Sequence, residues 1–340
     1  MEEISMFAVD TAKSVFQVHG EDAARTVKVQ KRLRRGQFLA FFSKAAPLVV
    51  VLEACGSAHY WARELTRLGH EVRLIPPQHV KPFLKRNKND MRDAEAIFEA
   101  SLRPGIHFVP VKSVDQQCDR ALHRGRDLLV RQRSQLGNAI RSMLSEVGII
   151  AAPGVAGAGQ LHARIEAGDE AIPARLLAVL RPMLDQWRGL HEKAQALEDQ
   201  IVAAARADQQ VRRLMKIDNV GPITAHATVA AIGDGRQFRS ARDFTAWLGL
   251  TPTHHASADK IRLGRISKAG DRSLRRLFVL GASSGLRQAR ARPDRASPWI
   301  TGLLARRPVK VAVIAQAAKT ARILWAVLTS GEEFRARARP

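Results

Sequence analysis

Residues 47–56 read PLVVVLEACG. Pro47 and Gly56 bound a continuous apolar run, Leu48 to Leu52, that closes on a single carboxylate, Glu53. A run this short and β-branched, without polar alternation, reads as a strand buried on both faces. A helix over Ala58–Leu68, a stop at Gly69 and a strand over Glu71–Ile75 follow. Together they predict a βαβ unit and therefore a parallel pair of strands. Upstream, ISMFAVDTAKSVFQVH (4–19) predicts two strands joined by a turn at Asp10–Ser14. A third strand is expected near Thr26–Gln30, then a basic stretch from Lys28 to Arg35 leading into a helix over Gln37–Lys44. After Pro76 and Pro77 come a basic helix, the helical segment KNDMRDAEAIFEASL (88–102) and a strand at His107–Val111 closing the unit.

This pattern brings acidic residues to one place. Asp10 ends the first predicted strand and Glu53 ends the central one, and open α/β sheets build their sites at the carboxyl ends of strands. Asp90 and Asp93, three apart at a helix start, share a face. Four converging carboxylates repel one another. Divalent cations relieve that repulsion, and oxygen-only donors favour Mg²⁺ or Mn²⁺. Two such ions can activate a nucleophile and stabilise a leaving oxygen in phosphodiester chemistry. Taken singly, Asp10 also reads as a turn residue and Asp90 as a helix N-cap. Glu53 is harder to explain away, because a carboxylate closing an apolar strand needs a partner or a metal.

Composition narrows the classes. The chain has 340 residues, 46% hydrophobic and 26% charged, so it folds and has room for several cores. Its formal charge is +23, and 22 basic against 7 acidic residues lie between Gly221 and Pro340. A polyanionic partner, nucleic acid above all, is expected. Two cysteines, Cys55 and Cys118, make neither a disulfide framework nor a four-cysteine zinc site. Glu2 and Glu3 argue against a secretory signal, and Lys310, Lys319 and Arg322 argue against a membrane span over Val309–Leu328, so a cytoplasmic location is expected. The one tyrosine, Tyr60, excludes a recombinase whose nucleophilic tyrosine lies near the C-terminus.

From Ser113 the texture becomes helical. Residues 114–148 and 173–206 predict two long amphipathic helices forming a coiled-coil hairpin, with AAPGVAGAG (151–159) as connector. LMKIDNVGPITAHATVAAIG (214–233) predicts helix, turn, helix, and RSARDFTAWLGL (239–250) a further helix. Then come a polar loop, PTHHASADK (252–260), a basic turn and helix in IRLGRISKAGDRSLRRLFVLGASSG (261–285), and a last helix over Lys310–Leu328. The expected division is 1–112, 113–210 and 211–340. The five tryptophans, Trp61, Trp187, Trp247, Trp299 and Trp325, read as core residues.

AVDTAKSVFQVH, VLEACGSAHYWA and KNDMRDAEAI, in that order, resemble the RuvC-like (RNase H-type) domain of the DEDD transposases of the insertion-sequence 110/1111 group. The resemblance implies a mixed sheet whose second strand is antiparallel to the first, and a Mg²⁺ site on Asp10, Glu53, Asp90 and Asp93. DNVGPITA (218–225) resembles a helix-hairpin-helix turn, with backbone N–H groups around Gly221 and the following helix N-terminus, Thr224 included, open to a phosphate and Asn219 standing where a glycine is usual. AWLGLTPTHHASADKIRLGRISKAGDRSLRRLF (246–278) resembles the C-terminal domain of the same transposases. There the resemblance puts a DNA-attacking serine at Ser257, followed here by Ala258 and Asp259 where glycines are usual. In this sequence Lys260, Arg262, Arg265, Lys268, Arg272, Arg275 and Arg276 surround that serine, and Ser267 is its one close competitor. The implied activity is DNA strand exchange through a covalent phosphoserine, with an element-encoded noncoding guide RNA, in dimers to tetramers. A site composed of carboxylates from one protomer and serine from another is part of that expectation. Two other readings stand beside it. One is a metal-dependent junction-resolving nuclease without a covalent step, and the other a non-catalytic nucleic-acid-binding protein.

Overall fold

The computed structural model describes the backbone of residues 4–84, 90–152, 155–257 and 260–335, and their side chains other than at 90–91, 155–156, 254–257, 260–262 and 295. The chain divides into two compact units, Met1–Gln117 and Cys118–Pro340.

The first unit runs β1 (Ile4–Thr11), β2 (Val15–Asp22), β3 (Val27–Arg34), α1 (Phe38–Phe42), β4 (Val49–Glu53), α2 (Ala58–Arg67), β5 (Glu71–Ile75), α3 (Pro77–Val80) and α4 (Asp90–Ser101). The strands form one mixed sheet in the order β3-β2-β1-β4-β5. β1, β2 and β3 pair antiparallel, while β1, β4 and β5 pair parallel. Alternation sorts the side chains between two layers. Phe7, Val9, Phe16, Val18, Val50 and Leu52 pack with Phe38, Phe42, Trp61 and Leu65 from α1 and α2. Met6, Ala8, Val51 and Ile75 pack on the other face with Val80, Ala96, Ile97 and Phe98. Gly20 on β2 is required by this packing, since a Cβ there would lie 2.4 Å from the Phe7 ring.

The basic stretch Lys28–Arg35 is not a connector but mostly strand, because Val29 and Leu33 supply a period-two apolar edge that packs on the α1 layer. His107–Val111 is not a strand. It makes one antiparallel bridge, Leu74 to Val109, and Pro110 has no N–H with which to continue a ladder.

The second unit holds most of α5 (Val114–Ser145), then α6 (Val155–Ala167), α7 (Ala174–Ala207), α8 (Gln209–Leu214), α9 (Pro222–Ile232), α10 (Ala241–Trp247), β6 (Pro252–Ser257), β7 (Lys260–Ile266), α11 (Arg272–Ala291), α12 (Pro298–Arg306) and α13 (Val309–Ser330). α5 and α7 run antiparallel side by side. Arg126 donates to Glu198 through Nε and Nη2 at 2.9 and 2.6 Å, Arg133 donates to His191 at 2.7 Å, and Gly137 faces the Trp187 ring. Farther along, Ile140 and Leu144 share a core with Leu180 and Leu184. Part of the expected connector is helix, because Leu161 and Ile165, four apart, bury α6 against that same core.

The C-terminal core packs Val211, Leu214, Val220, Phe244, Leu248 and Phe278 around α13, which contributes Ala317, Ala321, Leu324 and Leu328. α13 is long and apolar enough to cross a membrane by length and composition, and here its buried residues join that core. Trp61 is buried, and Trp187, Trp247 and Trp325 pack against cores, but Trp299 is exposed under the Lys319 ammonium, 3.9 Å from its ring centre. The expected polar loop at 252–260 is instead largely strand. β6 and β7 pair as an antiparallel hairpin, with an irregularity at Pro252–His254 where proline cannot donate.

Candidate active site

Asp10 and Glu53 are neighbours across β1 and β4. The parallel register runs Ala8 to Val51 and Val9 to Leu52, so the next residues of both strands lie side by side. Alternation puts both carboxylates on the face covered by α4. The strand ends are tied together by Thr11 Oγ1 and Cys55 Sγ, 3.0 Å apart. Glu53 titrates above the ordinary carboxylate range, first because burial penalises its charge, then because Asp10 and Asp93 repel it. Lys81, directly after α3, opposes the shift. Three of the four expected acids therefore share one electrostatic neighbourhood. Asp90 begins α4 one turn before Asp93, and its side chain lies outside the described residues.

α4 is held in place by a polar chain at its far end. Glu99 pairs with Arg25, which donates to Glu21 at 2.7 Å, and Glu21 meets the buried His19 at 2.9 Å. Arg25 takes φ +67° in the β2–β3 turn to make these contacts.

Among the described residues no group of three acidic, histidine or cysteine side chains stands close enough together to hold a metal ion. The donor set is nonetheless that of a hard cation, since Asp10, Glu53 and Asp93 offer only carboxylate oxygen. Beside them, Gln17 is 6% exposed and its Oε1 has no hydrogen-bond partner among the described residues. The residues present fit Mg²⁺ or Mn²⁺ better than any thiolate- or imidazole-seeking metal.

In the second unit, Ser257 is the last residue of β6 and pairs with Lys260, the first of β7. The side chains of Ser257, Lys260 and Arg262, and all of Ala258 and Asp259, lie outside the described residues. The hairpin base is clasped tightly. Ser267 N donates to Thr251 O at 2.9 Å and Lys268 N to Gly249 O at 3.2 Å, with Lys268 at φ +55°. Gly249 (φ +69°) approaches Ala269, and a Cβ on it would sit 2.4 Å from Ala269 N. Arg275 belongs to this clasp, donating to Leu248 O at 2.9 Å and Ala269 O at 2.5 Å. Arg276 donates to Asp127 at 2.6 Å. Arg265, Lys268 and Arg272 are exposed.

Gly221 caps α9 and is exposed, while Thr224 is buried, its carbonyl accepting from Thr228 Oγ1 at 2.7 Å. Asn219 adopts φ +66°, the left-handed conformation expected of it. Gln17 and Lys81 join the site without being among the residues that the sequence motifs mark. The strand alternation of 15–22 was the available signal for Gln17, whereas no local pattern brings Lys81 to Glu53.

Comparison with known proteins bears on both halves. Residues 7–149 match a DEDD transposase model of the IS110 type, and residues 211–296 match the transposase IS116/IS110/IS902 family. A Pseudomonas aeruginosa protein named "Probable family 20 transposase" is 47% identical over 96% of this chain and 97% of its own length. The transposase for insertion sequence element IS1111A of Coxiella burnetii is 38% identical over 98% and 92%. That for IS1328 of Yersinia enterocolitica is 37% identical over 98% and 99%.

Proposed function

The chain belongs to the IS110/IS1111 family of insertion-sequence transposases, and from that membership we propose a division of labour between its two units. Transposases of the DEDD type generally depend on a divalent metal. Asp10, Glu53, Asp90 and Asp93 hold Mg²⁺ in the sheet unit, and Ser257, presented at a hairpin tip, is the nucleophile. The observation that carries the reading is the side-by-side placement of Asp10 and Glu53 at the ends of paired strands, with Glu53 half-buried and Asp93 of α4 near enough to add to the repulsion. Packing alone gains nothing from like charges at a half-buried strand end, because each raises the cost of ionising the others.

The bound metal supplies charge neutralisation for a phosphodiester and its leaving oxygen. The chain's own groups do the rest. Ser257 Oγ forms a bond to phosphorus as the P–O bond to a deoxyribose oxygen breaks, and the proton given up by the serine ends, by way of solvent, on that departing oxygen, which leaves as a hydroxyl. One phosphodiester is exchanged for another, so strand joining needs no added energy source. Arg265, Lys268 and Arg272, exposed around the hairpin base, attract DNA phosphates. Arg275 is committed to two backbone carbonyls, and Arg276 is anchored on Asp127 through one nitrogen.

The same reading divides the chain at 1–112, 113–210 and 211–340. The middle part is a coiled-coil hairpin serving assembly into dimers and tetramers, and is supported by the paired positions along α5 and α7. The turn between α8 and α9 is a helix-hairpin-helix, supported by Asn219 in the left-handed region. An element-encoded RNA selects the DNA, and the protein works in the cytoplasm. The test is trapping on a nicked suicide DNA substrate, followed by peptide mapping. An adduct at Ser257 that is lost in Ser257→Ala is expected. Hydrolysed product without an adduct would favour a junction-type nuclease, and an adduct at Ser267 would move the nucleophile.

A further inference from the structure

One face of the sheet carries more than the acids. Asp10 pairs with Gln17 across β1 and β2, and Gln17 pairs with Arg32 across β2 and β3. With Glu53 beside Asp10, a single row runs Glu53, Asp10, Gln17, Arg32 over four adjacent strands. Directly paired residues point to the same side. The side is independently marked. Gln30, two residues before Arg32, approaches His19 at 3.4 Å, and His19 stacks edge-on against Phe98 of α4. Arg34, two residues after, pairs with Val15 in the same alternation. Val29 and Leu33 point the other way into the α1 layer, as does Lys31, whose ammonium lies 5.5 Å from the Phe41 ring centre.

We infer that Arg32 and Arg34 on the edge strand β3 form a phosphate track for the DNA strand being cut, on the same side of the sheet as the carboxylates. This rests on the proposed metal site. Strands lie about 4.8 Å apart, so Arg32 stands about 10 Å from Asp10, a few nucleotides along a backbone. Both arginines are exposed, and neither forms an ion pair among the described residues. Lys28, by contrast, is paired with Asp22 at 3.3 Å. Gln17 lies between Asp10 and Arg32 in register but is itself buried, so the contacts of the track fall on the two exposed arginines. Cations on an edge strand also deter edge-to-edge pairing, and the experiment separates the two roles.

Full-length protein is titrated with a fluorescein-labelled single-stranded DNA oligonucleotide over a range of KCl concentrations. The double variant Arg32→Ala, Arg34→Ala is expected to bind roughly tenfold more weakly, with a salt slope shallower by about 1.4, two contacts at about 0.7 each. Lys31→Ala, on the same strand but the opposite face, is expected to match the parent. An equal loss in Lys31→Ala would overturn the track, because the effect would then be bulk charge. Unchanged DNA affinity with new self-association would overturn it in favour of edge protection, and a loss confined to an RNA of the same sequence would overturn the assignment to DNA. Mn²⁺ binding read by electron paramagnetic resonance tests the underlying site separately. It is expected to survive the double variant and to disappear in Asp10→Asn. Retention in Asp10→Asn refutes the metal site without touching the DNA result.

Discussion

Asn219 lies so close to Gly285 that a Cβ on the glycine would fall 2.0 Å from Asn219 Oδ1. One helical turn earlier, a Cβ on Gly281 would fall 2.3 Å from the Asn219 carbonyl oxygen. These two glycines cut a notch in α11, and the left-handed turn before α9 fills it. The turn is therefore positioned by α11 as well as by its own two helices.

Gly285→Ala tests this contact by sign. In an unconstrained helix the change would stabilise by about 1 kcal/mol. Here overpacking against Asn219 is expected to destabilise by about 1–3 kcal/mol. Chemical denaturation of the full chain reads the difference, and a stabilised variant would mean that the turn does not rest in the notch.

Glu53→Gln removes the like-charge repulsion. Folded Glu53 titrates above its unfolded value, so the folded state binds more protons and stability falls as pH rises from about 4.5 through the raised pKa. The variant is expected to lack that fall and to melt higher than the parent at neutral pH without metal. Saturating Mg²⁺ at a hundredfold its Kd is expected to stabilise the parent by about 2.7 kcal/mol and the variant far less. Thermal melts across pH, with and without Mg²⁺, check both halves.

His123 Nε2 lies 2.9 Å from His226 Nδ1, joining α5 to α9. Burial first, and then the neighbouring His226, lower the His123 pKa to about 4. The unfolded state takes up its proton near 6.5, so stability is expected to fall as pH drops from 6.5 through 4, by at most about 3.4 kcal/mol. His123→Gln is expected to flatten that part of the curve. Parallel denaturation curves for the variant and the parent would contradict it.

Arg275 and Arg272 separate a clasp from a contact. Arg275→Ala loses two charge-assisted bonds to carbonyls and is expected to cost about 1–3 kcal/mol of stability. Arg272→Ala, at an exposed position, is expected to leave the melting temperature unchanged while weakening DNA binding and its salt dependence. Melting curves beside DNA titrations distinguish them.

Much of the first unit was legible locally. Pro47–Gly56, the helix to Arg67, the stop at Gly69 (φ +91°) and the strand Glu71–Ile75 all follow from hydrophobic period and turn chemistry, which act over a few residues. The same patterns put Asp10 and Glu53 at strand ends and Asp90 and Asp93 on one helical face. Elsewhere local pattern misled. Lys28–Arg35 carries its charges on a strand because the apolar half of the alternation is only Val29 and Leu33. Pro252–Ser257 is polar enough to read as a loop, yet pairing with β7 satisfies its backbone. Strand register could not be read at all, because it depends on which chains of side chains pack together across the sheet. Only the tertiary structure could put Gln17 between Asp10 and Arg32, bring Lys81 to Glu53, and commit Arg275 to the hairpin base. Each of these joins residues that are distant in sequence or on different strands, and a one-residue slip in pairing would have reversed every face.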